Sequence, residues 1–259
     1  MEFIDTHCHI NDDALFGQRK EVIHRAKEKG CRAVFNNGDS LESFDRIMEI
    51  QKENPDFSYS VLGIHPEYAT KDDDYQKKAF GYVEERLPEI KAIGEIGLDY
   101  HYDNDERTKE RQKQIFIEWI RFAKKHDLPI VVHARDASKD TFDIIKEELP
   151  PVVDLHCYSS SYELYEEYMK LPILFRIGVG GVVTFKNSKV LKEVVQRGDI
   201  HTFLTETDSP YLAPTPYRGK TNEPSYIPLI IDKIAEIKET DLEETEKILY
   251  GNAREFYRI

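Results

Sequence analysis

The chain has 259 residues, of which 40% are hydrophobic and 33% are charged, and its formal net charge at pH 7 is −13. This length is typical of one α/β barrel, and the hydrophobic content is sufficient for a large core, so we expect a single domain over residues 1–259. The negative charge opposes long-range attraction of a polyanion, and any nucleic-acid partner must therefore be held by a local basic patch or by metal.

Short apolar stretches alternate along the chain with longer amphipathic segments that are rich in charge. The apolar stretches predict eight strands, at residues 3–5, 33–36, 59–63, 92–95, 129–133, 152–156, 173–177 and 202–205. The longer segments predict helices at residues 19–29, 41–54, 75–86, 109–125, 141–148, 162–170 and 189–196, and two closing helices at 227–237 and 243–257. This alternation predicts an α/β fold, a single (β/α)8 TIM barrel. No GxGxxG motif opens the first crossover, which argues against an open doubly wound sheet.

The sequence pattern shows no targeting signal and no disulfide framework. The start of the chain lacks the basic residues and the apolar segment of a signal peptide, and no apolar run approaches the ~18 residues that a membrane helix needs. The three cysteines, Cys8, Cys31 and Cys157, are scattered, which fits a reducing compartment. We therefore expect a cytoplasmic protein with no membrane partner and no obligate protein partner.

Two histidines follow the first predicted strand at alternating positions. A strand turns successive side chains to opposite faces, so His7 and His9 share one face and Cys8 takes the other. Two imidazoles on one rigid edge indicate half of a metal site, because imidazole is a common neutral metal ligand. A solvated strand end with two histidines is the alternative, and a two-residue motif alone does not decide between them.

More polar residues stand at the ends of other predicted strands, where a barrel carries its catalytic groups. They are His65 after the third strand, Glu95 on the fourth, His133 at the end of the fifth with Arg135 shortly after it, His156 on the sixth and Asp208 after the eighth. Glu95 ends an apolar strand, and a carboxylate is expensive to bury there unless it is paired or bound to metal. His65 alone could simply cap a turn.

The ligand set fits two divalent metal ions. One ion would be held by His7, His9, Glu95 and Asp208, and the other by His133 and His156 with Glu95 as the bridge. Two metals about 3.5–4 Å apart need such a bridging carboxylate, and together they acidify a water molecule to a nucleophile at neutral pH. Nitrogen and oxygen ligands are compatible with Mg, Mn, Zn or Fe.

The motifs around these positions carry a family resemblance. They are DTHCH at residues 5–9, GIHP at 63–66, GEIGLDY at 94–100, VHARDA at 132–137, HCYS at 156–159, TETDSPYLAP at 205–214, RGKTNEP at 218–224 and GNA at 251–253. Over essentially the whole chain and in the same order, this set resembles the TatD family of metal-dependent hydrolases and deoxyribonucleases. The resemblance implies a TIM barrel of the amidohydrolase type and hydrolysis of DNA phosphodiesters, commonly by 3′→5′ removal of nucleotides. It also implies the metal ligands His7, His9, Glu95, His133, His156 and Asp208.

Two residues depart from the pattern that the resemblance leads us to expect. Tyr158 stands where we expect phenylalanine, and Arg176 replaces a small or neutral residue on the seventh strand. An inward-pointing Arg176 would add a phosphate-binding charge, whereas an outward-pointing one would be a helix-facing surface residue. These departures concern substrate details and leave the metal ligands unchanged.

Catalytic and substrate-binding roles are predicted for residues at the barrel mouth. We expect Glu95 to bridge the metals, Asp208 to orient the attacking water, and His65 to contact phosphate or pass on a proton. Substrate-binding charges are predicted at Arg135, Arg218 and Lys220, with bases stacking on Tyr100, Tyr158, Tyr211 and Tyr217. The substrate would be single-stranded DNA or a DNA 3′ end. Alternatively, these basic residues only offset local acidic ones.

Other hydrolases and a non-catalytic protein are the alternative functions. The chain could hydrolyse aminoacyl-tRNA esters, or it could be a small-molecule amidohydrolase or lactonase. Such barrels usually bridge their metals with a modified lysine on the fourth strand, and Glu95 at that place favours the nuclease-like branch. An inactive barrel scaffold is the least favoured alternative, because all six candidate ligands are present.

Overall fold

Eight parallel strands form the centre of the molecule. The structure is a computed structural model that describes residues 1–101 and 105–259. Its strands are β1 Phe3–Cys8, β2 Cys31–Asn37, β3 Ser58–Leu62, β4 Ile90–Asp99, β5 Ile130–Arg135, β6 Val152–Leu155, β7 Leu174–Val179 and β8 Phe203–Thr205. Each pairs in parallel with the next in chain order, so the sheet order is β1 to β8. The predicted TIM barrel is confirmed, and β4 is longer than its predicted range.

Helices occupy the connections between the strands and follow the last strand. They are α1 Asp13–Phe16, α2 Arg19–Glu28, α3 Leu41–Glu53, α4 Asp73–Glu85, α5 Glu106–Lys125, α6 Ser138–Glu148, α7 Tyr162–Met169, α8 Lys189–Arg197, α9 Ile227–Lys238 and α10 Leu242–Tyr257. Helices α4 and α5 begin earlier than predicted because Asp72 and Asp105 accept hydrogen bonds from backbone N–H groups of their first turns. Among the described residues, no helix is both long enough and apolar enough to cross a membrane.

The main core lies between the barrel and its helices. The apolar stripe of α5 shows how a helix contributes to it, since Ile115, Trp119 and Ala123 recur at helical spacing and are buried. The Trp119 ring stacks on Phe80 of α4 with ring centroids 3.9 Å apart. The buried stripe of α5 also contacts β4, the strand that carries Glu95.

A second, smaller core fills the barrel interior at the amino ends of the strands. Phe35 of β2 stacks on Tyr257 at the end of α10, with ring centroids 3.4 Å apart. The Tyr257 hydroxyl donates a hydrogen bond to the Thr6 carbonyl at 2.9 Å. The last turn of α10 therefore forms a plug at the amino end of the barrel. The opposite end, where the strands have their carboxyl ends, remains open for a functional site.

Arg176 belongs to this interior, which corrects both of its expected placements. The side chain is buried, and strand alternation gives it the same face as Gly178, which borders the cleft at the barrel mouth. Its guanidinium bonds to Glu255 of α10 at 2.5 Å and to the Phe175 carbonyl at 3.0 Å. Arg176 therefore points into the barrel, where it links α10 to β7. It does not line the cleft, so it adds no charge for phosphate there.

The barrel closes where β1 meets β8 and the loop that follows it. Thr6 donates its hydroxyl to the Thr205 carbonyl at 3.0 Å, and His9 donates its N–H to the Ser209 carbonyl at 2.7 Å. The Asp208 N–H donates to the His7 carbonyl at 2.9 Å. This seam brings residues 7 and 9 beside residue 208.

Candidate metal centre

A cleft of about 1100 Å³ opens at the carboxyl ends of the strands. Eight of the sequence-predicted site residues line it: His9, His65, Glu95, His133, Arg135, His156, Asp208 and Tyr211. His7 is fully buried and contacts Glu95 and His9 from below. The six candidate ligands, five of them in that lining, therefore meet at the end where a barrel of this kind carries its chemistry.

One group of donor atoms faces a single point between β1, β4 and the loop after β8. His7 Nε2 and His9 Nε2 are 3.1 Å apart, and they lie 3.4 and 3.5 Å from Glu95 Oε2. Asp208 Oδ1 is 3.4 Å from His9 Nε2 and 3.8 Å from His7 Nε2. Two nitrogens and two oxygens thus face one another at similar separations.

A second group of donor atoms faces the other oxygen of Glu95. His133 Nδ1 is 2.8 Å from Glu95 Oε1, and His156 Nε2 is 2.9 Å from the same oxygen. The two imidazole nitrogens are 3.4 Å apart. The two oxygens of one carboxylate therefore face separate pairs of histidines.

The separations in the first group match those expected between the ligands of one metal ion. Ligands held about 2.0–2.1 Å from a tetrahedral ion are separated from one another by about 3.3 Å, which is close to the spacing in the first group. His7 Nε2 and His9 Nε2 also face each other at 3.1 Å, as two nitrogen ligands of one ion would. The donor set therefore suits a divalent cation in each group.

Both ligand carboxylates are ionised in this environment. Burial opposes ionisation of Glu95, but the imidazoles of His156 and His133 outweigh it and hold the pKa of Glu95 well below its usual range. Burial likewise opposes ionisation of Asp208, and contact with His9 lowers the pKa of Asp208 below its ordinary value. Ionised carboxylates are the form that binds cations.

The histidines of the cluster divide into neutral and protonated residues. Burial, helped by the nearby His156, lowers the pKa of His7 to about 3. Burial also disfavours the charged form of His9, but Asp208 and Glu95 raise the pKa of His9 to about 9. Burial acts against the charged form of His156 as well, and Glu95 still raises the pKa of His156 well above its usual range. Without metal, protons therefore compensate the buried carboxylates.

This competition between protons and metal gives a pH prediction. His9, with a pKa of about 9, must lose its proton to bind a cation, so metal affinity should rise as the pH increases from 6 to 9. Metal titrations by calorimetry, in two buffers of different ionisation enthalpy at pH 7, should show net proton release. His7 should contribute none, because it is already neutral there. A pH-independent affinity without proton release would contradict this assignment of the ligands.

Asp5 holds the Asp208 loop in place. One Asp5 carboxylate oxygen accepts the Thr207 N–H at 3.0 Å, and the other accepts the Thr207 hydroxyl at 2.6 Å. The first oxygen also accepts the His7 N–H at 3.2 Å. Asp208 itself has a left-handed φ of 54°, a conformation that needs such support. Sequence reasoning did not assign this role to Asp5, although Asp5 stands in the same DTHCH motif as His7 and His9.

His65 lies beside the second group of donors. Its Nε2 is 3.8 Å from Glu95 Oε1, and its Nδ1 accepts the Glu67 N–H at 3.2 Å. Burial and the neighbouring His133 lower the pKa of His65 to about 4, so the ring is neutral at pH 7. Because Nδ1 is an acceptor, the ring proton is on Nε2 and faces the cleft. His65 thus caps a turn, as the alternative interpretation predicted, and it also presents a donor to the cleft.

The basic side chains that were predicted to bind substrate lie at different distances from the cleft. Arg135 lines the cleft, whereas Arg218 and Lys220 do not. The Arg218 guanidinium lies 4.2 Å above the Phe185 ring, and the Lys220 ammonium lies 5.7 Å from the Tyr217 ring. Both stand on an exposed loop beside the mouth.

Two of the four predicted stacking tyrosines are buried, which corrects that prediction. Tyr100 and Tyr158 are 8% and 4% exposed, and their hydroxyls bond to Asp140 and to the Ser161 carbonyl. Their rings therefore have no open face for a base. Tyr211 is 54% exposed and lines the cleft, while the Tyr217 ring stacks on Tyr226.

Comparison with known proteins identifies the family. A model of the family described as TatD related DNase matches residues 4–258 of the chain. The chain belongs to the TatD family. The family prediction made from the motifs is therefore confirmed.

Relatives of this TatD chain carry the same general assignment. The uncharacterised metal-dependent hydrolase YabD of Bacillus subtilis is 40% identical over 259 residues, which cover 98% of both proteins. An uncharacterised metal-dependent hydrolase of Methanocaldococcus jannaschii is 38% identical and covers 100% of this chain and 98% of its own. This TatD protein is therefore an enzyme, a metal-dependent hydrolase.

Solved structures confirm the fold of the TatD chain. The crystal structure of YjjV, a TatD homologue from Escherichia coli, matches it with a TM-score of 0.91 at 27% identity, over 99% of this chain and 98% of that one. An uncharacterised amidohydrolase from Saccharomyces cerevisiae matches with a TM-score of 0.83 at 16% identity, over 99% and 100% of the two chains. The second likeness concerns the fold alone, and it agrees with a barrel of the amidohydrolase type.

Proposed function

We propose that this TatD-family hydrolase cleaves phosphodiester bonds of DNA with two divalent ions, removing nucleotides from single-stranded 3′ ends. The observation that carries the proposal is the placement of Glu95. Its Oε2 faces His7 and His9, while its Oε1 faces His133 and His156, as expected of a carboxylate that bridges two ions. The description of the family supplies the substrate class.

Bound ions would polarise a phosphate and make a water molecule nucleophilic at neutral pH. The residues of the chain would do the rest. Asp208 is ionised and borders the cleft, so its carboxylate can accept a proton from the attacking water. His65 is neutral with Nε2–H toward the cleft, so it can donate a hydrogen bond to a phosphate oxygen.

Apolar and aromatic groups at one side of the cleft suit an unpaired base. Tyr211 and Leu212 are 54% and 40% exposed, and Val182 and Leu191 line the same cleft. A base can stack on such a surface without sequence preference. This favours the end of a single strand over a paired duplex, whose bases are already stacked.

Arg218 and Lys220 provide a test of DNA binding outside the metal centre. The variants Arg218→Ala and Lys220→Ala should weaken binding of single-stranded DNA and flatten its salt dependence, because each removes a charge near the cleft. Hydrolysis of a minimal phosphodiester that reaches only the centre should barely change. Fluorescence anisotropy at several salt concentrations measures the first effect. Lys247→Ala, an exposed α10 lysine paired with Glu243, is the control with unchanged binding.

The outcomes separate three roles for that loop. Equal losses on DNA and on the minimal phosphodiester would mean that the loop supports the metal centre instead. Unchanged DNA affinity would mean that the strand follows another route across the mouth. The second outcome is compatible with the stacking of Arg218 on Phe185, which already occupies the guanidinium face.

Ester hydrolysis of a positively charged substrate is a second candidate function. Five carboxylate residues line the cleft outside the donor groups and outside Asp99, which contacts His133: Asp12, Asp13, Asp39, Glu42 and Glu67. The basic residues Arg46 and Arg135 line the same cleft, and Arg46 pairs with Asp13. An acidic lining repels phosphate and favours an ammonium group, such as that of an aminoacyl ester.

One panel of substrates distinguishes the two functions. The purified protein, loaded separately with Mg²⁺, Mn²⁺ or Zn²⁺, would be assayed on DNA, RNA, phosphate monoesters and aminoacyl esters. The proposal expects the largest kcat/KM on single-stranded DNA, with activity lost to a chelator and restored by divalent ions. A larger kcat/KM on aminoacyl esters would replace the first candidate by the second.

A further inference from the structure

Asp99 contacts the imidazole of His133 on the side that faces away from the donor group. His133 Nε2 is 3.0 Å from Asp99 Oδ2, while His133 Nδ1 is 2.8 Å from Glu95 Oε1. Asp99 is buried and stands four residues after Glu95, at the end of the same strand. One ring nitrogen is therefore directed to the donor group and the other to a carboxylate.

Asp99 is itself held on three sides. The buried side-chain amide of Gln112 on α5 donates to the Asp99 carbonyl and accepts the Asp99 N–H, both at 2.9 Å. The His101 N–H donates to Asp99 Oδ1 at 2.8 Å. The remaining oxygen, Oδ2, is directed to His133. Helix α5 therefore sets the position of the carboxylate through the end of β4.

We propose that Asp99 is a positioning residue, which fixes the ring orientation and the tautomer of His133 so that Nδ1 presents its lone pair to a metal ion. A carboxylate accepts but does not donate when ionised, so the proton of neutral His133 must be on Nε2. Nδ1 is then free to bind a cation, and the negative partner makes it a stronger ligand. This inference rests on the proposed metal centre and does not depend on DNA being the substrate.

In the described residues 1–101 and 105–259, no other ligand histidine has a carboxylate within hydrogen-bond distance of its second ring nitrogen. His9 Nδ1 lies 2.9 Å from the Asn37 carbonyl, a neutral acceptor. His7 Nδ1 and His156 Nδ1 have no hydrogen-bond partner, and the Glu206 carboxylate lies 3.8 Å from His156 Nδ1, beyond hydrogen-bond distance. His133 therefore combines a charged partner with a position at the open cleft, where its ring is 17% exposed and needs more restraint.

Asp99 could alternatively be a ligand for a further ion, because one donor atom each of His65, Asp99 and His133 lie within 4.8 Å of one another. The hydrogen bonds argue against this. His65 Nδ1 accepts the Glu67 N–H, so its Nε2 carries the proton and offers no lone pair. His133 Nε2 in turn already donates to Asp99. Of these three residues, only Asp99 therefore has a lone pair to offer, and the group does not form a metal site.

The test measures metal binding without substrate. Asp99→Ala and Asp99→Asn would be titrated with Zn²⁺ in competition with a chromophoric chelator, and the stoichiometry would be checked on the wild-type protein. We expect two ions per wild-type chain, and Asp99→Ala should bind one of them roughly 10–100-fold more weakly. Asp99→Asn keeps an acceptor oxygen and should lose less. Asp143→Asn, at an exposed carboxylate of α6 paired with Lys139, should bind both ions normally.

A spectroscopic signature distinguishes positioning from general support. In the zinc-loaded wild type, ¹⁵N shifts of the His133 ring should show a protonated Nε2 and a coordinated Nδ1, and Asp99→Ala should show a mixture of ring states. If Asp99→Ala does not fold, Asp99→Asn decides by the same two measurements. Wild-type zinc affinity and ring state in the Asp99 variants would overturn the proposal. Loss of a third bound ion would also overturn it and make Asp99 a ligand.

Discussion

Substituting Glu95 by alanine should abolish hydrolysis while the barrel remains folded. Both oxygens of Glu95 face imidazole pairs, so the variant should lose a ligand from each ion. We expect activity to fall by roughly 10³-fold or more, since metal activation of water and charge stabilisation would both be lost. Steady-state assays in saturating Mn²⁺ or Zn²⁺, together with bound metal per chain, measure both effects.

The matched control for Glu95→Ala is Glu147→Ala, an exposed glutamate of α6. It should retain activity and metal content. Removing Glu95 also removes a buried charge, so thermal unfolding of the metal-free variant should show a folded protein. Near-normal turnover by folded, metal-loaded Glu95→Ala would disprove the bridge.

Asp208→Asn should impair turnover much more than substrate binding. The change keeps the shape of the side chain but removes the charge that borders the cleft. An amide cannot accept a proton from water, so kcat should fall by roughly 10²–10³-fold, the scale of one lost electrostatic group, with a smaller change in KM. The measurement is kcat and KM for a minimal phosphodiester in excess metal.

The metal titration of Asp208→Asn decides between two explanations of a lower rate. If the variant binds both ions and kcat still falls, Asp208 acts on the water as well as on the metal. If one ion is lost and excess metal restores kcat, its role is ligation alone. An unchanged kcat would exclude Asp208 from the reaction. Asp143→Asn, on the exposed face of α6, controls for loss of an aspartate charge.

The candidate ligands could be predicted from sequence because of the barrel's geometry. His133 lies on β5 after three apolar residues, His156 directly follows β6 and Asp208 comes shortly after β8, and parallel strands of one barrel end at the same face. Strand alternation also placed His7 and His9 on one side. The positions of these residues within their motifs were therefore sufficient to predict that the candidate ligands meet at one face, and the helices were not needed for that prediction.

The surroundings of the ligands depend on contacts that no local pattern contains. Gln112 interrupts the apolar stripe of α5, and only the packing of α5 on β4 shows that its amide holds Asp99. Arg176 bonds Glu255, which is 79 residues away on the closing helix. Its environment depends on a plug that sequence periodicity does not predict.

Loop conformation explains the remaining differences from the sequence predictions. The Asn222 amide donates to the carbonyls of Thr207 and Tyr211, which fixes the base of the loop that carries Arg218 and Lys220. The charges therefore extend beside the cleft rather than into it. Tyr158 is buried in the main core, where its hydroxyl keeps a hydrogen bond by donating to the Ser161 carbonyl.

The seam between β1 and the end of the barrel bears on how the protein is made. The contact between Thr6 and Thr205 joins residues that are 199 positions apart. During synthesis, His7 and His9 emerge first and have no β8 beside them until most of the chain has been translated. One edge of β1 then lacks its partner, and unpaired edges invite association with other chains. The first ligands to leave the ribosome are thus among the last to reach their neighbours, and a nascent chain has an exposed strand before it has a metal centre.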